Sequence, residues 1–252
     1  MEFSLEILGL FFLIALAAGT IDGIAGGGGL ITMPALLALG LPPTAAVATN
    51  KLGATGGSFA AALHFVRARH VNLREFWPWM LASFVGSIFG SFLLTQLDNR
   101  FLEKAIPILL IGFALYFLFS PRVGAEDRKK RLSLPLFGLT LVPLIGFYDG
   151  FFGPGTGSFF TLAAVTLLGF NLLKATAHAK QLNFASNAAS LLFFIYYGEI
   201  YWVLGGVMLI GQLCGGMLGA RMAVRNGQQL IRWVMVIVSV LMSAKLIIYP
   251  AG

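Results

Sequence analysis

Asp22 and Asp149 are the residues of this chain best placed to do chemistry, because each lies in apolar sequence and each opens the same motif. The first copy reads TIDGIAGGGGLITMPALLALGL from Thr20, and the second reads FYDGFFGPGTGSFFTLAAVTLLGF from Phe147. Asp22-Gly23 maps onto Asp149-Gly150, and Gly26 and Gly28 map onto Gly153 and Gly155, all at an offset of 127 residues. Carboxylates and helix breakers are costly in lipid unless they line a cavity or face protein. Three roles are open to each aspartate: capping free backbone amides, serving as counter-ion to a lysine, or carrying a proton.

The glycine runs that follow, Gly26, Gly27, Gly28 and Gly29 in the first copy and Gly153, Gly155 and Gly157 with Thr156 in the second, each precede a short apolar stretch. Glycine allows positive φ and close backbone approach, so unpaired amides can face a cavity. The short helix adds the partial positive charge of its N-terminus, which suits an anion. Close packing of helices through small residues is the alternative use of these glycines. Their duplication before short helices favours the site.

The next stretches hold the remaining polar side chains. Asn50 and Lys51 follow the first short stretch; His178, Lys180, Gln181, Asn183 and Asn187 follow the second. Lys180, Asn183 and Asn187 fall at i, i+3 and i+7 and share a helix face. A lysine about 10 Å into a helix is costly unless paired or hydrated, and snorkelling is its other outlet. His178 acts either as a proton relay or as a hydrogen-bonded core residue.

These groups must be carried by membrane helices. The chain of 252 residues is 58% hydrophobic and 11% charged, with a mean hydropathy of +0.87, against about 25% charged in soluble domains. That excludes a soluble catalytic domain. The single cysteine, Cys214, excludes a disulfide framework or a cysteine metal cluster, and no metal or cofactor is expected. The pI near 9.8 reflects basic loops between apolar segments rather than a nucleic-acid surface. The first stretch lacks the basic residues of a cleaved leader and reads as a retained helix.

Ten apolar stretches are visible, at 4–19, 28–40, 44–66, 75–96, 101–120, 133–151, 156–169, 173–197, 200–223 and 228–249. The second and seventh are too short to span alone, since a crossing takes about 20 residues, so they either complete a crossing as half-helices or dip in and return. Basic clusters follow the third, fifth and ninth stretches, and such clusters gather on the cytoplasmic side. If every other stretch crosses, the seventh must cross too, and by analogy the second. The expectation is an all-α integral membrane protein, one domain over 1–252, with both termini outside and ten crossings. It comprises two inverted five-segment repeats, 4–120 and 133–249, each with a short half-helix after its glycine break, joined by a cytoplasmic linker at 121–132. Gly86 and Gly90 match Gly215 and Gly219 at an offset of 129, and Ala45 and Leu52 match Ala175 and Leu182 at 130. Gly211, Gly215 and Gly219 form a packing ridge, and Trp77, Trp79, Trp202, Trp233 and Tyr249 fall near segment ends, where interfacial aromatics lie.

Paired interrupted helices in two halves are the sequence signature of a secondary transporter's binding site. The segments GGGGLITMPALLALGLPPTAAVATNKL and GFYDGFFGPGTGSFF with KATAHAKQLN resemble the sulfite exporter TauE/SafE family, over nearly the whole chain. The resemblance is to its bacterial inner-membrane branch and implies a multi-pass transporter of small sulfur-containing anions such as sulfite and organosulfonates. It also implies that the two glycine motifs are the functional core. Pro154 and Thr156 stand where the first copy has glycine, so the half-sites differ chemically.

The leading expectation is therefore a secondary transporter, an exporter of such anions working by alternating access, with a small anion and the lipid bilayer as its partners. A homo-oligomer is compatible with the sequence. No phosphate-binding loop accompanies the glycines, so gradients must drive transport. An anion channel on the same scaffold is the alternative. An intramembrane aspartyl protease built on Asp22 and Asp149 is a third reading, disfavoured because TIDG lacks that chemistry's glycine-x-glycine-aspartate pattern.

Overall fold

The computed structural model describes residues 3–102, 108 and 129–248. Most of the fifth apolar stretch, and the linker up to residue 128, lie outside the described residues. So do the side chains of Trp233 and Tyr249.

The described chain is all α-helical. Its helices are α1 Leu5–Ala25, α2 Gly29–Ala38, α3 Pro43–Arg67, α4 Leu73–Gln96, α5 Leu134–Phe151, α6 Thr156–Leu167, α7 Leu172–Tyr197 and α8 Trp202–Ile248. Local chemistry sets the boundaries: Ser4, Asn72, Ser133 and Asn171 cap α1, α4, α5 and α7 by accepting from backbone amides two or three residues on. α8 breaks at Gly227, where φ is 66° and ψ is −154°. α1, α4, α5 and residues 202–227 are long and apolar enough to cross a membrane. α3 and α7, at 25 and 26 residues, are long enough but more polar, because they carry the lysines and amides.

Hydrogen bonds and ring contacts place the two ends of the short helices. Phe3 stacks edge-on with Tyr201, and Tyr201 donates its backbone N–H to Thr49 in the second turn of α3. The start of α1 and the start of α3 therefore lie at one end of the molecule, so α2 turns back toward the side from which α1 came. At the other end, the amides of Arg131 and Leu132 both donate to the carbonyl of Leu167, at 2.9 and 3.0 Å. The end of α6 thus returns to the start of α5. Each short helix returns to the end of the molecule where the preceding helix began, as a re-entrant hairpin would. At 10 and 12 residues they extend about 15–18 Å, enough to reach from the centre of a bilayer to one face. The charge rule fixes only whether the number of crossings is odd or even. A hairpin that goes in and returns satisfies it as well as two crossings do.

Packing joins the elements into two groups that cut across the sequence halves: α1 and α3 pack on α8, and α5 and α7 pack on α4. Small residues bring the backbones together. A Cβ on Gly23 of α1 would lie 2.6 Å from the Gly216 carbonyl of α8; one on Gly90 of α4 would strike the Phe147 carbonyl of α5. Ser83 and Ser87 of α4 donate to the carbonyls of Leu182 and Ser186 on α7, at 2.9 and 2.7 Å. Outward faces are apolar, with Leu13, Phe89, Phe92, Leu139, Leu144 and Ile210 exposed where lipid would lie. Trp77 and Trp202 are exposed near helix starts. Trp79 is partly buried and packs its ring against Gly138.

Candidate functional site

The starts of both short helices line one polar cleft. Gly155 caps α6 with φ 85°, a left-handed conformation that glycine alone adopts without strain. At the first break, Gly26 and Gly27 take φ of 87° and 96°. The two breaks touch: Ser158 of α6 donates to the Ala25 carbonyl at 3.0 Å, and the space a Cβ on Gly26 would need is filled by the Ser158 backbone.

Lys51 and Lys180 each sit eight residues into their helices, from Pro43 and Leu172, which is about 12 Å along the axis. Neither snorkels. Lys51 Nζ binds Asp149 Oδ1 at 2.8 Å and Asn187 Oδ1 at 3.1 Å. Lys180 Nζ binds Asp22 Oδ2 at 2.9 Å. Each lysine therefore pairs with the aspartate of the other motif copy, and each pair bridges the two packed groups. Asp149 is sealed at 1% exposure, whereas Asp22 keeps 15%. Asp22 also accepts from the Gly28 amide at 3.3 Å, so it is counter-ion and cap together. Asn183 Nδ2 reaches Asp149 Oδ2 at 3.5 Å, and its own carbonyl accepts from Asn187 Nδ2 at 2.9 Å. Buried ion pairs this deep are held by geometry: removing one partner leaves an uncompensated charge and costs about 3–5 kcal/mol.

Between the pairs lies a narrow polar cleft that is open on one side. Of the residues singled out in the sequence, Asp22, Gly27, Gly29, Asn50, Lys51, Asp149, Gly153, Gly155, Thr156, Gly157, Asn183 and Asn187 line it. Gly153 takes φ of 98°, a backbone conformation in which any other residue is strained.

Other expected site residues stand back from the cleft. Gly26 packs on the Ser158 backbone, and a Cβ on Gly28 would lie 2.7 Å from the Ala18 carbonyl. Lys180 is fully buried behind Asp22, adjoining Gly157. Gln181 turns away and donates to the Ala62 carbonyl of α3 at 3.0 Å, so it ties helices together. His178 lies two residues short of Lys180 but on another face, its Nδ1 2.8 Å from the Lys174 carbonyl and its ring between Phe76 and Phe170. It is a packed histidine near the start of α7, with no contact to either aspartate.

The sequence reading missed Ala54 and Gln212, which complete the lining. Gln212 is 3% exposed and its Nε2 has no hydrogen-bond partner among the described residues, a state that costs about 1–3 kcal/mol when nothing compensates. Its signal was present: a single amide within the glycine ridge of an otherwise apolar helix.

The two carboxylates bind separate lysines, an arrangement unlike the directly paired carboxylates of an aspartyl protease.

The chain is 51% identical over 252 residues to a "Probable membrane transporter protein" of Haemophilus influenzae, covering all of this chain and 98% of that one. It is 50% identical over 241 residues to "Probable membrane transporter protein YfcA" of Escherichia coli K12, covering 96% and 90% of the two chains. A Sinorhizobium "Probable membrane transporter protein ORF9" is 46% identical over 249 residues, covering 99% and 95%. No solved structure matches the chain. A sequence model of the family described as Sulfite exporter TauE/SafE matches residues 11–246. This multi-pass membrane protein, with its helices built around a central polar cleft, therefore belongs to the sulfite exporter TauE/SafE family of membrane transporters.

Proposed function

We propose that this transporter carries small sulfur-containing anions, such as sulfite or organosulfonates, by alternating access, the group of α1, α3 and α8 moving against the group of α4, α5 and α7. The observation that carries the reading is the pair of crossed ion bridges flanking a cleft onto which both short helices open. Amides at Gly29 and Gly157 stand at helix N-termini, where partial positive charge favours an oxyanion. Lys51, Asn50, Asn183, Asn187 and Thr156 add donors around the same space.

The bridges supply the switch. Lys51–Asp149 and Lys180–Asp22 hold the group of α1, α3 and α8 against that of α4, α5 and α7. Two lysines and two aspartates sum to zero, so an anion entering adds an uncompensated negative charge in a low-dielectric interior. A proton on one aspartate restores neutrality and frees a lysine for the anion. Asp22 is the more accessible of the two, facing Lys180 and the Gly28 amide. Releasing one bridge lets the two groups rock about the α3–α7 contact, and anion and proton leave together on the other side.

The test is flux in proteoliposomes holding the purified full chain, with sulfite, sulfoacetate, taurine, thiosulfate and carboxylates. Saturable, proton-gradient-dependent flux of a sulfur oxyanion is expected. Non-saturating current would indicate the channel reading, and failure of every anion to bind or move would refute the proposal.

A further inference from the structure

Gln212 is the one cleft residue with a buried polar atom that nothing in the described protein satisfies. Its surroundings are built to hold it there. The side chain lies across α3, where a Cβ on Gly53 would come within 2.8 Å of Nε2 and one on Gly57 within 3.1 Å of Oε1. Two glycines one turn apart thus form a slot that any larger residue would close.

Comparison with the other packed group shows that the contact itself needs no amide. Gly19 of α1 packs on the backbone of Gln212, and Gly146 of α5 packs on the backbone of Ser83 in the same way, 127 positions from Gly19 and 129 from Gln212 respectively. Ser83 is satisfied, because it donates to the Leu182 carbonyl. One turn before Gln212, Met208 packs against the same Gly53 with an apolar side chain. An apolar residue of similar length would fill the Gln212 slot without leaving an amide unpaired. Across the cleft, α7 supplies Asn183 and Asn187 from its own surface; on the α3 side the lining residue following the lysine is Ala54. Gln212 brings an amide to the wall that otherwise lacks one beyond Asn50.

We propose that Gln212 is a substrate-binding residue whose amide hydrogen-bonds an oxygen of the bound anion, giving that oxygen a neutral donor on the α3 side opposite Asn183 and Asn187. This rests on the anion reading of the cleft. A neutral donor suits this place because it adds no charge to a cluster whose ion pairs already balance. The amide is left unpaired without ligand and is satisfied with it, so the interaction favours the occupied cleft over the empty one.

The experiment uses the full chain in detergent and in proteoliposomes, with sulfite and methanesulfonate as probes and acetate as a two-oxygen comparison. Gln212→Met keeps length and removes the amide; Gln212→Glu keeps shape and adds negative charge. For Gln212→Met, an unfolding temperature at or above that of the parent is expected without ligand, together with at least tenfold weaker binding of the better sulfur oxyanion. For Gln212→Glu, at least a hundredfold loss is expected at neutral pH. Acetate should lose less than the sulfur oxyanion in Gln212→Met. If the parent chain binds its anion and both variants bind it equally well, Gln212 has no contact with substrate and this proposal falls alone. A Gln212→Met protein that loses stability but keeps affinity overturns it in the same way. If the parent chain binds none of the probes, the anion reading itself falls and this proposal falls with it.

Discussion

Lys51 and Asp149 lie 98 positions apart in sequence and meet at 2.8 Å, each 1% exposed. The bond joins α3 to α5 and so links two helix groups that share few other polar contacts at the cleft. Lys51→Met should leave Asp149 buried and unpaired and lower stability by about 3–5 kcal/mol. The double variant Lys51→Met/Asp149→Leu should recover most of that loss while remaining inactive. Thermal or denaturant unfolding of the single and double variants measures the coupling. Additive losses would show that the two charges do not depend on each other.

The second bridge yields a prediction about charge. Lys180 and Asp22 meet at 2.9 Å, so Asp22→Asn keeps the shape and leaves the Lys180 charge uncompensated. Anion binding should tighten and concentrative transport should stop. Unchanged binding and flux in Asp22→Asn would remove this bridge from the transport cycle.

Glycine substitutions separate site from scaffold. Gly155→Ala forces a side chain into φ 85°, a cost of about 1–2 kcal/mol, and should impair transport with the protein still inserted. Gly28→Leu should do more harm, because a Cβ there already lies 2.7 Å from the Ala18 carbonyl and 2.9 Å from Asp22. Gly9→Ala meets nothing within 4 Å and should be silent. Transport assays beside membrane-insertion controls rank the three, and a Gly28→Leu protein with normal kinetics would show that the first break tolerates movement.

Re-entry of the short helices predicts a labelling pattern. In a Cys214→Ser background, Glu199→Cys should react with an impermeant maleimide from outside and Lys129→Cys should not. Thr156→Cys, at the start of α6, should resist that bulky reagent from both sides, yet react with a small thiol reagent and be protected by substrate. Ready maleimide labelling of Thr156→Cys from outside would place it at the surface and restore a full crossing.

Much of the site was legible in the sequence because its residue types are costly in lipid. Asp22, Asp149, Lys51 and Lys180 stand out against an apolar background, and the duplicated DG and glycine run marks two helix breaks before short helices. Gln212 was present in the same sense, but the reading of its helix as a glycine ridge hid it. Gln181 and His178 misled for the opposite reason. One turn of helix separates them from Lys180 or less, but a rotation of about 100° per residue aims them at Ala62 and at Phe76 and Phe170.

What the sequence determined by itself was the class of the protein, its helical segments and the chemical inventory of its centre, since hydropathy and charge are local and additive. Which lysine met which aspartate was decided only in three dimensions, because both partners of each pair lie on helices whose neighbours are set by glycine contacts, α1 on α8 and α5 on α4. The same holds for the short helices. Loop charge constrains the number of crossings only as odd or even, whereas the hydrogen bonds from Arg131 and Leu132 to Leu167 fix where α6 ends. Tertiary packing turned a set of scattered polar residues into two crossed bridges around one cleft.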